Sequence, residues 1–124
     1  MTEKESKLKY DLEERTVVFA EKIIELLQTI RPTAINQRII SQLVGSSGSV
    51  GANYCEAIEA ESKKDFIHKI SIAKKEIKET NHWLRLLLKA HPEIDKKLEK
   101  ISQECHELLL IFSKIIISSK KRKL

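Results

Sequence analysis

The sequence predicts an all-α chain folded as an antiparallel up-down four-helix bundle. Three observations predict it. Turn-formers are scarce, with only 3 Gly and 2 Pro in 124 residues, which suits long helices and short connections rather than many short strands. Apolar residues recur three and four positions apart through four successive segments, the spacing that lines one face of a helix. The segments are separated at Pro32, Ser62 and Pro92, each a helix stop or start signal. A length of 124 residues is that of one domain with one core, so 1–124 reads as a single bundle.

Residues 1–11 are polar and are expected to fray. The first helix starts near Leu12 and carries Phe19, Ile23, Leu27 and Ile30, flanked by Ala20 and Ile24. It ends at Arg31-Pro32, because proline pushes the residue before it out of the helical region. Thr33 is placed to cap the second helix. That helix carries Ile39, Ile40, Leu43, Val44, Val50, Tyr54 and Ile58, and holds all three glycines in GSSGSVGA (45–52). Ser62 reads as the N-cap of the third helix, with Asp65 three residues on as an acidic capping partner. The third helix is expected over about Lys63–Ala90, with Phe66, Ile70, Ala73, Ile77, Leu84 and Leu88 on its core stripe. Pro92 suits the first turn of the fourth helix, where a missing N–H costs nothing. Leu98, Ile101, Cys105, Leu108, Phe112 and Ile115 give its apolar face, and the chain closes on KKRK (120–123), part of a tail (120–124) expected to fray.

Charge is unevenly distributed. Residues 1–62 hold 7 Lys/Arg against 10 Asp/Glu, and residues 63–124 hold 16 against 8. A basic half points to a polyanionic partner. At 100° per residue, Lys63, Lys64, Lys74, Lys75, Lys78, Arg85 and Lys89 fall within an arc of roughly 120° on the third helix, beside its core stripe; Lys69 falls elsewhere. Seven like charges on one face repel, and a phosphate backbone would relieve that repulsion while releasing counterions. The alternative is a solvated face whose charges pair with acids on neighbouring helices. No aromatic interleaves the stripe, so binding by charge and shape is expected, without base stacking.

Apolar residues exceed what one core needs. Ile72, Trp83 and Leu86 lie off the core stripe of the third helix, and LLLIFSKIII (108–117) is apolar nearly all round. Two greasy faces imply a second contact, most simply another copy of the chain. The 108–117 stretch is too short to span a membrane, and Lys114 interrupts it. Within the glycine segment, Gly45, Gly48, Ser49 and Ala52 share a narrow stripe, read as a surface for close approach of another helix. A phosphate-binding loop is a poor reading, because no lysine follows any glycine and no strand precedes the segment.

No enzyme is expected. Glu79–His82 and Asp65–His68 have carboxylate-to-histidine spacing for a bundle di-metal site, but both lie on one helix and no second helix supplies a Glu-x-x-His motif. Cys105-His106 lacks a Cys-x-x-Cys partner. No order of Ser, Cys, His and Asp matches a hydrolase signature. His68, His82, His91 and His106 read as surface or partly buried polar residues. No metal, cofactor or small-molecule substrate is therefore expected. The polar N-terminus does not read as an export signal, so a cytoplasmic setting is expected, with Cys55 and Cys105 as free buried thiols.

Three stretches carry a family resemblance. SVGANYCEA (49–57) resembles the central motif of the 23S rRNA intervening-sequence protein family, often called four-helix bundle proteins. KDFIHKISIAKKEIKETNHWLRLLL (64–88) resembles that family's third-helix signature, and YDLEERTVVFA (10–20) its opening. At Cys55 the chain departs from the basic or polar residue that follows the tyrosine in the family, so the resemblance implies no charge contact there. It does imply an antiparallel four-helix bundle that assembles as a ring, a pentamer, without catalysis. Some members are encoded within insertions in bacterial ribosomal RNA genes. The family is also similar to the accessory variability proteins of diversity-generating retroelements, so RNA and a reverse-transcriptase-like protein are the partners the resemblance implies.

Overall fold

A computed structural model describes residues 3–121, with side chains from residue 11 onward. It contains four α-helices: α1 (Glu3–Gln28), α2 (Gln37–Ile58), α3 (Lys63–Ala90) and α4 (Asp95–Lys121), with one 3-10 turn, Pro92–Ile94, before α4. Helix α1 thus begins at Glu3 rather than near Leu12, and α4 continues through Lys121, into the stretch expected to fray. Residues 1–2 and 122–124 lie outside the described residues. Each helix packs on the next in sequence, and α1 also meets α4. The contacts Ser46–Thr80 and Glu56–Lys69 show α2 and α3 running in opposite directions.

Local chemistry sets the boundaries. The Ser62 hydroxyl accepts from the Asp65 backbone N–H at 3.0 Å, satisfying one of the donors that a helix start leaves open. Between α1 and α2, Asn36 rather than Thr33 takes the N-cap position of α2, with no side-chain cap bond, and the two residues bond each other: Thr33 N–H donates to Asn36 Oδ1 at 2.7 Å, and Asn36 N–H donates to Thr33 Oγ1 at 3.2 Å. The Asn36 amide also donates to the Arg31 carbonyl at 3.0 Å and lies 2.8 Å from His91 Nε2, while His91 Nδ1 lies 3.0 Å from Glu93. Asn36 is fully buried, and with all these bonds made its burial is not penalised. This network fastens the α1–α2 loop to the α3–α4 connection.

Phe19, Ile23, Leu43, Val50, Ile70, Ile77, Leu84, Leu87, Leu108 and Phe112 make the centre of the core. Leu87 and Ile116 are buried, and the expected Leu88 and Ile115 pack only partly against them. Polar residues also enter the core. Ser46 and Thr80 share a hydrogen bond of 2.9 Å, Thr80 also reaches the Glu76 carbonyl at 2.8 Å, and Ser47 donates to the Leu43 carbonyl at 2.6 Å. On the α1–α4 side, Arg15 grips Glu104 with two bonds of 3.1 and 2.6 Å. Both groups are partly exposed, so this pair contributes at most about 1 kcal/mol.

The glycine segment packs differently from its expectation. Gly45 and Gly48 face open space, with nothing within 4 Å of an added Cβ. The close approach is at Gly51, where an added Cβ would lie 2.9 Å from Thr16 Oγ1 and 3.3 Å from Thr16 Cβ. Gly45→Ala and Gly48→Ala should therefore each stabilise the isolated subunit by about 0.5–1 kcal/mol, the helical cost of glycine. Gly51→Ala should give no such gain. Thermal melts of the three variants check this, and an equal gain at Gly51 would refute a tight α1–α2 seam.

Of the two thiols, Cys105 is buried, with its Sγ 3.5 Å from the Ile77 carbonyl, but Cys55 is exposed, against expectation. Position 55 falls on the outer side of α2, beyond the arc that Val50 and Tyr54 turn inward. Burial pushes the Cys105 thiol up to about 12, helped by the charge of Glu104. Burial likewise raises the Tyr54 hydroxyl to about 12, with the charge of Glu13 adding to it. Both groups hold their protons more tightly folded than unfolded. Their contribution to stability is complete below about pH 9 and is lost as the pH climbs towards about 12. Denaturant midpoints measured from pH 8 to pH 11 should fall steadily, and a Cys105→Ala/Tyr54→Phe double variant should flatten the decline.

Candidate nucleic-acid interface

Helix α3 presents the basic stripe. Along it Lys64, Lys75, Lys78, Arg85 and Lys89 are exposed, and Lys63 and Lys74 are half-buried. All seven lie on the flank turned away from Lys69 and Thr80, which bond Glu56 and Ser46 of α2. Lys69 is neutralised by Glu56 at 3.0 Å. Among the described residues, Lys64, Lys74, Lys75, Lys78, Arg85 and Lys89 have no carboxylate within 4.0 Å. The pairing with neighbouring acids that would make the stripe an ordinary solvated face is therefore not made by these six.

The acids of α3 lie beyond one edge of the stripe, with Glu79 one turn from Lys75. Glu76 is held above the usual carboxylate range by burial and by the charge of Glu79, partly offset by Lys75. Glu79 accepts a long bond from Trp83 Nε1 at 3.5 Å. Beyond the stripe, α3 and α4 border a cleft of 680 Å³ lined by Leu88, Asp95, Glu99, Gln103, His106 and Glu107 among others. Its carboxylates, Asp95, Glu99 and Glu107, all come from α4.

The residues expected to serve assembly occupy a different side. Ile72 and Trp83 are half-buried, and Leu86 is 40% exposed. Ile72 and Trp83 lie on the α2-facing flank of α3, and the small residues Gly45, Ser49 and Ala52 lie on the α3-facing flank of α2, with Gly48 at the edge of that flank. Gly45, Gly48 and Ala52 are exposed, and Ser49 donates to the Gly45 carbonyl at 2.9 Å. His82 meets the Trp83 ring edge-on at 5.0 Å. A second apolar strip was not expected from the sequence. Val17 and Ile24 on α1 are 49% and 41% exposed, and Val44 on α2 is 46% exposed. Two apolar residues seven apart, both off the core arc of α1, were the available signal. Leu110 and Ile117 add exposed apolar surface on α4, within its greasy stretch at 108–117. Among the described residues, no three of His, Cys, Asp and Glu are grouped to hold a metal ion.

Similarity to known proteins agrees with this architecture. The family model described as 23S rRNA-intervening sequence protein matches residues 9–114. The chain is also similar to a crystal structure, at 31% sequence identity and a TM-score of 0.73, covering 84% of this chain and 96% of that one. That structure is of a protein of unknown function from the S23 ribosomal protein family of Bacteroides thetaiotaomicron. No curated protein matches.

Proposed function

Because the chain belongs to the 23S rRNA-intervening sequence protein family, we propose that it is a non-catalytic, homo-oligomeric scaffold that holds RNA, or an RNA–protein complex, by charge and shape. One observation carries the reading: six cations on one face of α3 without a carboxylate partner among the described residues. Unpaired lysines on a rigid helix are pre-positioned for phosphates and read no base edges. The exposed apolar residues on α1, α2 and α4 supply surface for contact between copies, in line with the pentameric ring that the family resemblance implies. No described helix is long and apolar enough to cross a membrane, and the proposed setting is the cytoplasm. A reverse-transcriptase-like protein fits as the protein partner within such a complex.

Fluorescence anisotropy of a structured RNA across a salt series tests the proposal. Binding should be tight at low salt and weaken steeply, with log affinity falling by about 0.7–0.9 for each phosphate contact per decade of salt. Absence of binding at low salt would overturn it. A second reading, a protein-only adaptor, is favoured by the apolar strip of Val17, Ile24 and Val44, which suits a protein surface better than a phosphate backbone. Pull-down from nuclease-treated lysate separates the two: if every partner disappears after nuclease, direct protein contact is ruled out.

A further inference from the structure

A second concentration of positive charge lies away from the α3 stripe. Between α1 and α4 runs a groove of 520 Å³, lined by Lys22, Lys96, Lys97 and Lys100, with Leu26 and Ile101 in its floor and Glu25 as its only acid. All four lysines are exposed, and among the described residues none has a carboxylate within 4.0 Å. Lys97 also lines the neighbouring cleft of 400 Å³, which holds Arg31 together with the Glu93 carboxylate. Three of the lysines occupy the first two turns of α4, where the backbone N–H groups already make the field positive. Cations are disfavoured there, and Asp95 in the first turn and Glu25 across the groove offset their repulsion only in part. Four converging cations in a concave site above a buried floor suit a ligand carrying several negative charges in a row.

We propose that the α1–α4 groove is a second phosphate site, distinct from the α3 stripe, which binds consecutive phosphates of a polyphosphate or phosphodiester chain. If the phosphates come from an RNA backbone, the inference rests on the proposed function; if from a free oligophosphate, it stands without it. In either case Glu25 opposes the ligand.

The test titrates the full chain separately with sodium tripolyphosphate and with the structured RNA. The proteins are wild type, a Lys96→Gln/Lys97→Gln/Lys100→Gln variant and Glu25→Gln, with circular dichroism confirming that each is folded. Tripolyphosphate should bind saturably and shift the amide resonances of Lys22, Lys97 and Lys100. The triple variant should weaken that binding at least tenfold, and Glu25→Gln should tighten it several-fold, a gain that a purely structural role would not produce. A parallel loss of RNA affinity, with a salt slope lower by up to about three, assigns the phosphates to RNA. Unchanged RNA affinity assigns them to a free oligophosphate. If wild type binds tripolyphosphate but not RNA, the proposed function fails and the groove survives. No saturable tripolyphosphate binding together with RNA affinity unaffected by the triple variant overturns the site.

Discussion

Glutamate at Lys74, Lys75 and Lys78 together should lower RNA affinity at least about a hundredfold at low salt and cut the salt slope by about three. The three residues lie within five positions on one flank of α3, and among the described residues none has a carboxylate within 4.0 Å. Reversal therefore breaks no ion pair among the described residues and should leave the melting temperature nearly unchanged. Lys69→Glu provides the contrast. It removes the 3.0 Å pair with Glu56 and places a carboxylate beside a carboxylate, but on the flank facing α2. Its effect on RNA affinity should be small, apart from the general loss of positive charge. Equal effects from Lys69→Glu and from each stripe lysine would mean that net charge alone drives binding, with no role for the face.

Phe112→Ala should cost about 3–5 kcal/mol of stability, a large part of the 5–15 kcal/mol that holds an ordinary domain folded. Phe112 is completely buried, and its ring stacks on Tyr54 with centroids 5.8 Å apart and planes 15° from parallel. The substitution removes the ring from a close-packed interior and leaves a cavity between α2 and α4. It also deletes an aromatic pair worth about 0.5–1.5 kcal/mol beyond its buried area. Urea denaturation is the measurement, and a loss under about 1 kcal/mol would mean that the site collapses around the missing ring. The neighbouring Leu110→Ala, at an exposed position on the same helix, should cost far less in the isolated subunit.

Much of the fold is legible where the chain has contrast. Ser62 and His91-Pro92 bracket α3, and its observed span, Lys63–Ala90, is the one expected from those signals. Registers blur where apolar residues run consecutively. Leu86, Leu87 and Leu88 are equally apolar, as are Ile115, Ile116 and Ile117, so composition cannot say which member faces inward. The packing of neighbouring helices selects Leu87 and Ile116. The glycine segment misleads for a related reason. Small residues suggest close approach, but two of its serines turn inward with their hydroxyls satisfied, and two of its glycines turn out. Asn36 is missed because a polar residue between two helices reads as loop, and its burial depends on His91, 55 positions away. The basic stripe needs only helical geometry, so it is visible from the start. The α1–α4 groove is not, because its lysines come from segments more than 70 residues apart in the chain.

The fastening of one loop to the other by Asn36 has a practical consequence for labelling this protein. A peptide tag inserted at Ala34 would part Thr33 from Asn36, unseat the buried amide and loosen both connections at that end together. Among the described residues, the turn joining α2 to α3 carries no such tie. Glu59, Glu61 and Ser62 are exposed there, and the Ser62 cap serves only α3. A flexible tag placed between Ala60 and Glu61 should leave the melting temperature within a few degrees of wild type. The same tag at Ala34 should lower it sharply, which makes the α2–α3 turn the place to attach a fluorophore for following assembly.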